Sequence, residues 1–162
     1  MKTLLLLRHA KSDWDDKSLA DIDRPLADRG RRDAPRIGRA MRAKGQFPDL
    51  IVSSPAARAR ETIEAVIKAA GLEIAPQFDE SIYGATAAGL MKIVRRLPDS
   101  SNCVLLVGHN PTFEQVLSRL TDAQEHMPTA ALACIEFQIG HWQDVEDGQG
   151  NLLWFLTPKS IS

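Results

Sequence analysis

Four consecutive leucines, Leu4 to Leu7, form a short unbroken apolar run near the start of the chain, the pattern of a strand buried on both faces. An aspartate-rich polar stretch, "KSDWDDKSLADIDRPLADRG", follows it. Ala34, Ile37 and Met41 then recur at helical spacing, with Pro35 marking where the regular helix should begin and Gly45 where it should stop. "DLIVSSP" repeats the short apolar run, and "ARARETIEAVIKAAG" sets Ile63, Val66, Ile67 and Ala70 on one helical face ahead of Gly71. Beyond the short "EIAP" and "DESIYGA" segments, a helix with Leu90, Ile93, Val94 and Leu97 leads to Pro98. "NCVLLVG" is the third apolar strand. The helix after it has Asn110 as N-cap, Pro111 as first helical residue, and Phe113, Val116, Leu117 and Leu120 as its apolar stripe. The tail changes character: "ALACIEFQIGHW" and "NLLWFLTP" read as a β-pair joined by the turn-rich "QDVEDGQG". Alternating strands and helices predict an α/β fold with a mostly parallel sheet covered by helices.

Composition narrows the class. The chain has 162 residues, 44% of them hydrophobic, enough for one core, and a single domain over 1–162 is expected. Cys103 and Cys134 sit in apolar runs without metal-type spacing and read as buried thiols of a reducing compartment. The apolar runs are too short for a signal-peptide core or a membrane span, so a cytoplasmic protein with no membrane partner is expected. The net charge of −1 conceals an asymmetry, because residues 1–60 carry 14 Lys and Arg against 8 Asp and Glu, and the remainder carries 6 against 13. Early positive charge suits a small anionic ligand or a solvated helix face. Interleaved aspartates and few aromatics argue against nucleic acid.

Candidate chemistry lies where the strands end. Arg8 and His9 follow the first strand, Arg58 the second and His109 the third, and in an open α/β sheet those carboxyl ends converge on one crevice. Two guanidinium forks match phosphoryl oxygens and offset the charge that repels a nucleophile. A neutral imidazole between them can attack phosphorus, and a second, protonated imidazole would donate to the transferring group. This scheme needs no metal or cofactor. A divalent-metal site built from Asp13, Asp15 and Asp16 with His9 is a rival reading, but its spacing is poor and the arginines would compete for the same space. A silent phosphate-binding module is a third reading, opposed by the intact quartet.

The blocks "LLLLRHAKSDW", "RPLADRG", "VSSPAARARET" and "LLVGHNPTFEQVL" together resemble the signature blocks of the histidine phosphatase superfamily, and in particular its short SixA-like phosphohistidine phosphatases. Most of that superfamily has glycine after the histidine. Ala10 stands there in this chain, as in short members of the SixA type. The resemblance implies a three-layer, phosphoglycerate mutase-like α/β/α sandwich. It implies His9 as the phosphorylated nucleophile and Arg8, Arg58 and His109 as the phosphate pocket. Arg60 is expected to be a surface charge and Asn110 a cap. "ESIYGA" is similar to the segment that supplies a catalytic glutamate in the mutase branch, so Glu80 is either a general acid or an exposed carboxylate. The absence of long insertions points to an open site. The leading substrate is therefore phosphohistidine on a phosphorylated signalling or phosphotransfer protein, with a small phosphorylated molecule as the alternative. The sequence carries no signal for oligomeric state.

Overall fold

A computed structural model describes residues 1–161. Six strands form one sheet in the order β3-β2-β4-β1-β5-β6. They are β1 (Lys2–Arg8), β2 (Leu50–Ser53), β3 (Gln77–Phe78), β4 (Cys103–Gly108), β5 (Leu132–Phe137) and β6 (Asn151–Leu156). β1, β2, β3 and β4 pair in parallel, while β5 runs antiparallel to both β1 and β6. The expected terminal β-pair is thus an extension of the central sheet.

The leucine run is divided between two cores, as the pleat requires. Leu4 and Leu6 join the layer that contains α3 (Ala87–Arg95) and α4 (Thr112–Thr121), and Leu5 and Leu7 join the layer of α1 (Asp28–Ala43) and α2 (Ala57–Ala70). Val104 and Leu106 of β4 face the first layer, and Leu105 and Val107 the second. The result is the three-layer α/β/α sandwich. Cys134 is buried and Cys103 half-buried. Both thiols are free, and burial pushes each up to about 12.

Two helix starts differ from the sequence reading. α1 begins at Asp28, and Pro35 lies inside it. Proline removes one backbone bond, the one to the carbonyl of residue 31. The residues before it stay helical because the chain is anchored there: Ala27 N–H donates to the Lys11 carbonyl at 2.8 Å, and Arg31 Nη1 donates to the Leu26 carbonyl at 2.6 Å. Gly30 packs so tightly on the Lys11 backbone that a Cβ would overlap it. α4 begins at Thr112, one residue later than expected, with Pro111 in the N-cap position after a cis Asn110–Pro111 bond. Asn110 still supplies a cap-like acceptor, its Oδ1 taking the Glu114 N–H at 3.3 Å.

The strand ends are locked together by main-chain bonds. His9 N–H donates to the Gly108 carbonyl at 3.0 Å, Ser54 N–H to the Val107 carbonyl at 2.9 Å, and Arg8 N–H to the Ala131 carbonyl at 3.0 Å. Gly108 closes β4 directly over the buried Phe113 ring, where a Cβ would fall 2.6 Å from Cζ and 3.0 Å from an Ile82 methyl. Overpacking of this kind costs about 1–3 kcal/mol. Gly108→Ala is expected to lower the melting temperature by roughly 2–12 °C. A thermal melt checks this, and an unchanged midpoint would mean that the ring yields freely.

Candidate active site

The four residues singled out at the strand ends do come together. Arg8 is the last residue of β1 and His9 follows it. Arg58 is the second residue of α2, and His109 lies between β4 and α4. The His9 and His109 rings are tilted against each other with centroids 5.2 Å apart, and the Tyr83 ring meets His109 edge-on at 5.6 Å. His9 and Arg58 are each 8% exposed, so the cluster lies in a largely desolvated recess.

Each group is aimed by a specific neighbour. His9 Nδ1 lies 2.7 Å from the Ala10 carbonyl, an acceptor only, so this nitrogen carries the proton and Nε2 keeps its lone pair. Ala10 is held in turn: its N–H donates to Thr62 Oγ1 at 2.9 Å, and the Thr62 hydroxyl donates to the Arg58 carbonyl at 2.7 Å. One buried hydroxyl therefore ties the peptide after His9 to the backbone of Arg58. His109 Nε2 is 2.8 Å from Ser54 Oγ, and His109 Nδ1 and Arg8 Nε are buried without hydrogen-bond partners. Unpaired buried polar atoms are costly, and two in one recess mark it as a place where a polar ligand would complete the bonding.

Electrostatics favour an anion. Burial holds the His9 imidazolium pKa down to about 3, opposed by the Ala10 carbonyl and reinforced by His109, Arg58 and Arg8. Burial likewise lowers His109 to about 4, with Arg58 and Arg8 adding to the effect and Asp21 opposing it. Both rings are neutral at neutral pH.

Asp21 is the residue sequence reasoning missed. It stands in a short 3-10 turn of the β1–α1 loop, whose base is closed by a bridge between Ser12 and Leu26. Its Oδ2 accepts from Arg58 Nη2 at 3.1 Å and from the Tyr83 hydroxyl at 2.5 Å, its Oδ1 accepts from Arg24 Nη1 at 2.8 Å, and its carbonyl accepts from Arg58 Nη1 at 2.8 Å. The Tyr83 hydroxyl, with Arg58 and Arg24 adding to it, holds its carboxyl down to about 2 against the opposing effect of burial. Arg24 also donates to Ser12 Oγ and lies 3.2 Å from the Trp14 ring centroid. The one sequence signal for this network is Arg24, which opens the block "RPLADRG".

The remaining candidates lie apart. Glu80 opens the 3-10 turn Glu80–Ile82 and is exposed. With Ile22, Asp23, Pro55, Arg60 and Tyr83 it lines a cleft of about 540 Å³, where Tyr83 is the wall shared with the histidine pair. Arg60 is exposed, as expected, and lies over the Phe78 ring at 5.1 Å. Asp13 and Asp16 accept the N–H groups of Asp15 and Ser18, two residues on, as loop-closing turns. No group of three or more metal-type side chains gathers among the described residues, and no described helix is long and apolar enough to cross a membrane.

The depressed histidines have a consequence for stability. Between pH 6.5 and about 4 the unfolded chain binds protons at His9 and His109 that the folded chain refuses. Their effect is to destabilise the fold as pH falls through that window. Wild-type protein should therefore lose more melting temperature between pH 7 and pH 5 than a His9→Gln, His109→Gln double variant. Parallel curves would show that neither ring is held neutral.

A family model for the histidine phosphatase superfamily (branch 1) matches residues 4–89. An uncharacterized protein of Mycobacterium tuberculosis (strain ATCC 25618 / H37Rv) is 36% identical over 164 residues, covering 94% of this chain and 100% of the relative. Among solved structures, the candidate phosphohistidine phosphatase SixA from Agrobacterium tumefaciens superposes with a TM-score of 0.84 at 29% identity, over 97% of this chain and 98% of that one. A second candidate SixA, from Nakamurella multipartitia, gives 0.85 at 26% identity, over 97% and 96%. With its four signature blocks gathered at the carboxyl edge of a phosphoglycerate mutase-like sheet, the chain belongs to the histidine phosphatase superfamily, branch 1.

Proposed function

We propose that this protein is a metal-independent phosphatase acting through a phosphohistidine on His9, with phosphohistidine of a signalling or phosphotransfer protein as its substrate. The observation that carries the reading is the aim of His9: Nδ1 is tied to the Ala10 carbonyl, and Nε2 is a free lone pair beside Arg8, Arg58 and His109. In the first step Nε2 forms a bond to phosphorus as the bond to the leaving nitrogen or oxygen breaks, and the leaving group takes up a proton. In the second, water attacks the phosphohistidine, inorganic phosphate departs, and the imidazole returns to its neutral state. Arg8 and Arg58 bind the phosphoryl oxygens and stabilise the charge spread over them in the transition state. A Ser54 hydroxyl donating to His109 Nε2 leaves the His109 proton on Nδ1, an unpaired donor for the same oxygens. The Ala10 carbonyl stabilises the positive charge that His9 acquires on attack.

The phosphohistidine substrate is supported by the 29% identity and full-length superposition with a candidate phosphohistidine phosphatase. Cleavage of the phosphoramidate releases imidazole, whose leaving nitrogen can take its proton from solvent, so little help from an acid is needed. A small phosphomonoester is the second reading, favoured by the cleft beyond Tyr83, where Glu80 could protonate an alkoxide.

Brief exposure to substrate followed by denaturation should trap an acid-labile, base-stable phosphate. His9→Ala should abolish both the label and turnover, and chelator should leave both intact. A label that survives His9→Ala would move the nucleophile elsewhere. Turnover of a phosphohistidine protein compared with a panel of phosphosugars tests the substrate, and rates orders of magnitude higher on the sugars would overturn the first reading. In the same comparison Glu80→Gln should slow alkyl phosphates about 10²-fold or more and phosphohistidine hardly at all. Equal, small effects would make Glu80 an exposed carboxylate without a proton to give.

A further inference from the structure

Arg8 is aimed from outside the strand that carries it. Its Nη1 donates to the Met127 carbonyl at 2.9 Å, and its Nε is left buried and unpaired. The direction in which Arg8 presents that free N–H therefore depends on where the Met127 carbonyl stands. Met127 belongs to the connection between α4 and β5, a segment outside any regular element. Something other than secondary structure must fix it.

Glu114, in the first turn of α4, supplies that fixing. Its Oε1 accepts the Met127 N–H at 2.7 Å. The Met127 carbonyl takes a second bond from Asn110 Nδ2 at 2.9 Å, and Asn110 Nδ2 also lies 3.4 Å from Glu114 Oε1. Asn110 Oδ1 closes the loop by accepting the Glu114 N–H. Both polar groups of Met127 are thus held from α4 and its approach, while the methionine side chain is fully buried below. Glu114 Oε1 also lies 2.7 Å from Nδ1 of the exposed His126, a contact on the solvent side of the carboxylate.

We propose that Glu114 is a positioning residue for the phosphate pocket: by gripping the Met127 N–H it sets the Met127 carbonyl, and through it the orientation of Arg8. This rests on the reading of Arg8 as a phosphate ligand. The grip requires an acceptor oxygen at the right distance and does not require the charge. Substitution of Glu114 should therefore act on anion binding through Arg8 alone, and the two residues should be non-additive.

Vanadate binding to the purified full chain tests this without any knowledge of the substrate. Glu114→Ala should weaken vanadate about tenfold or more, whereas Glu114→Gln, which keeps an acceptor oxygen, should stay within about threefold of wild type. His126→Ala, which removes only the outer contact, should leave the affinity unchanged. In an Arg8→Ala background, Glu114→Ala should add no further loss. Should Glu114→Ala fail to fold, Glu114→Asp carries the same expectation, since it keeps the charge and withdraws the oxygen by one methylene. Equal losses for Glu114→Gln and Glu114→Ala, or full additivity with Arg8→Ala, would overturn the proposal. If Arg8→Ala itself left vanadate affinity intact, the phosphate-pocket reading would fall; if it abolished affinity while Glu114→Ala did nothing, only the present inference would.

Discussion

Two guanidinium groups and two imidazoles share a recess from which most water is excluded, and the rest of the architecture answers to that constraint. Burying cations is unfavourable unless each is hydrogen-bonded, and hydrogen-bonding them fully would leave nothing for a ligand. The compromise here is partial pairing with neutral or half-exposed acceptors. Arg8 gives one N–H to a carbonyl and keeps Nε free, while Arg58 is held by the carbonyl and carboxylate of Asp21. The imidazoles contribute by staying neutral, chiefly because burial disfavours their charged forms and further because added positive charge would be repelled by the guanidiniums.

That arrangement explains why the supporting residues come from so many places. Thr62 reaches from α2 to the Ala10 peptide, Ser54 from the end of β2 to His109, Asp21 from the β1–α1 loop to Arg58, and Met127 from the α4–β5 connection to Arg8. The carboxyl ends of β1, β2 and β4 lead to the four side chains, Arg8 with His9, then Arg58, then His109, and other segments bring what aims them. Half-exposed Asp21 also couples the pocket to its mouth, since the tyrosine that donates to it is the wall shared with the neighbouring cleft.

The framework of strands and helices was legible because burial on a sheet or a helix imposes a period, and the leucine run and the α2 and α4 stripes obey it. Arg8, His9, Arg58 and His109 were legible because they sit at fixed offsets from those strands. Asp21, Ser54, Thr62 and Met127 were not: they act through a loop carboxylate, single hydroxyls or backbone groups whose partners lie up to 119 residues away, and no local spacing encodes such a meeting. The start of α1 was misplaced for a related reason. A local rule about Pro35 competed with tertiary anchoring at Lys11 and Leu26, and the tertiary contacts prevailed.

The position of β1 also bears on how the chain reaches this state. β1 is flanked in the finished sheet by β4 and β5, whose own segments begin only at Cys103 and Leu132. Until those segments exist, the tetra-leucine run has no edge to pair with, and it is a short, uncharged, strongly apolar stretch of the kind that associates with other chains. Lys2 and Arg8 bracket it closely, the placement in which flanking charges limit association of an apolar run. In the folded sheet β1 is paired on both sides, and the Arg8 guanidinium at its end is turned inward against the Met127 carbonyl.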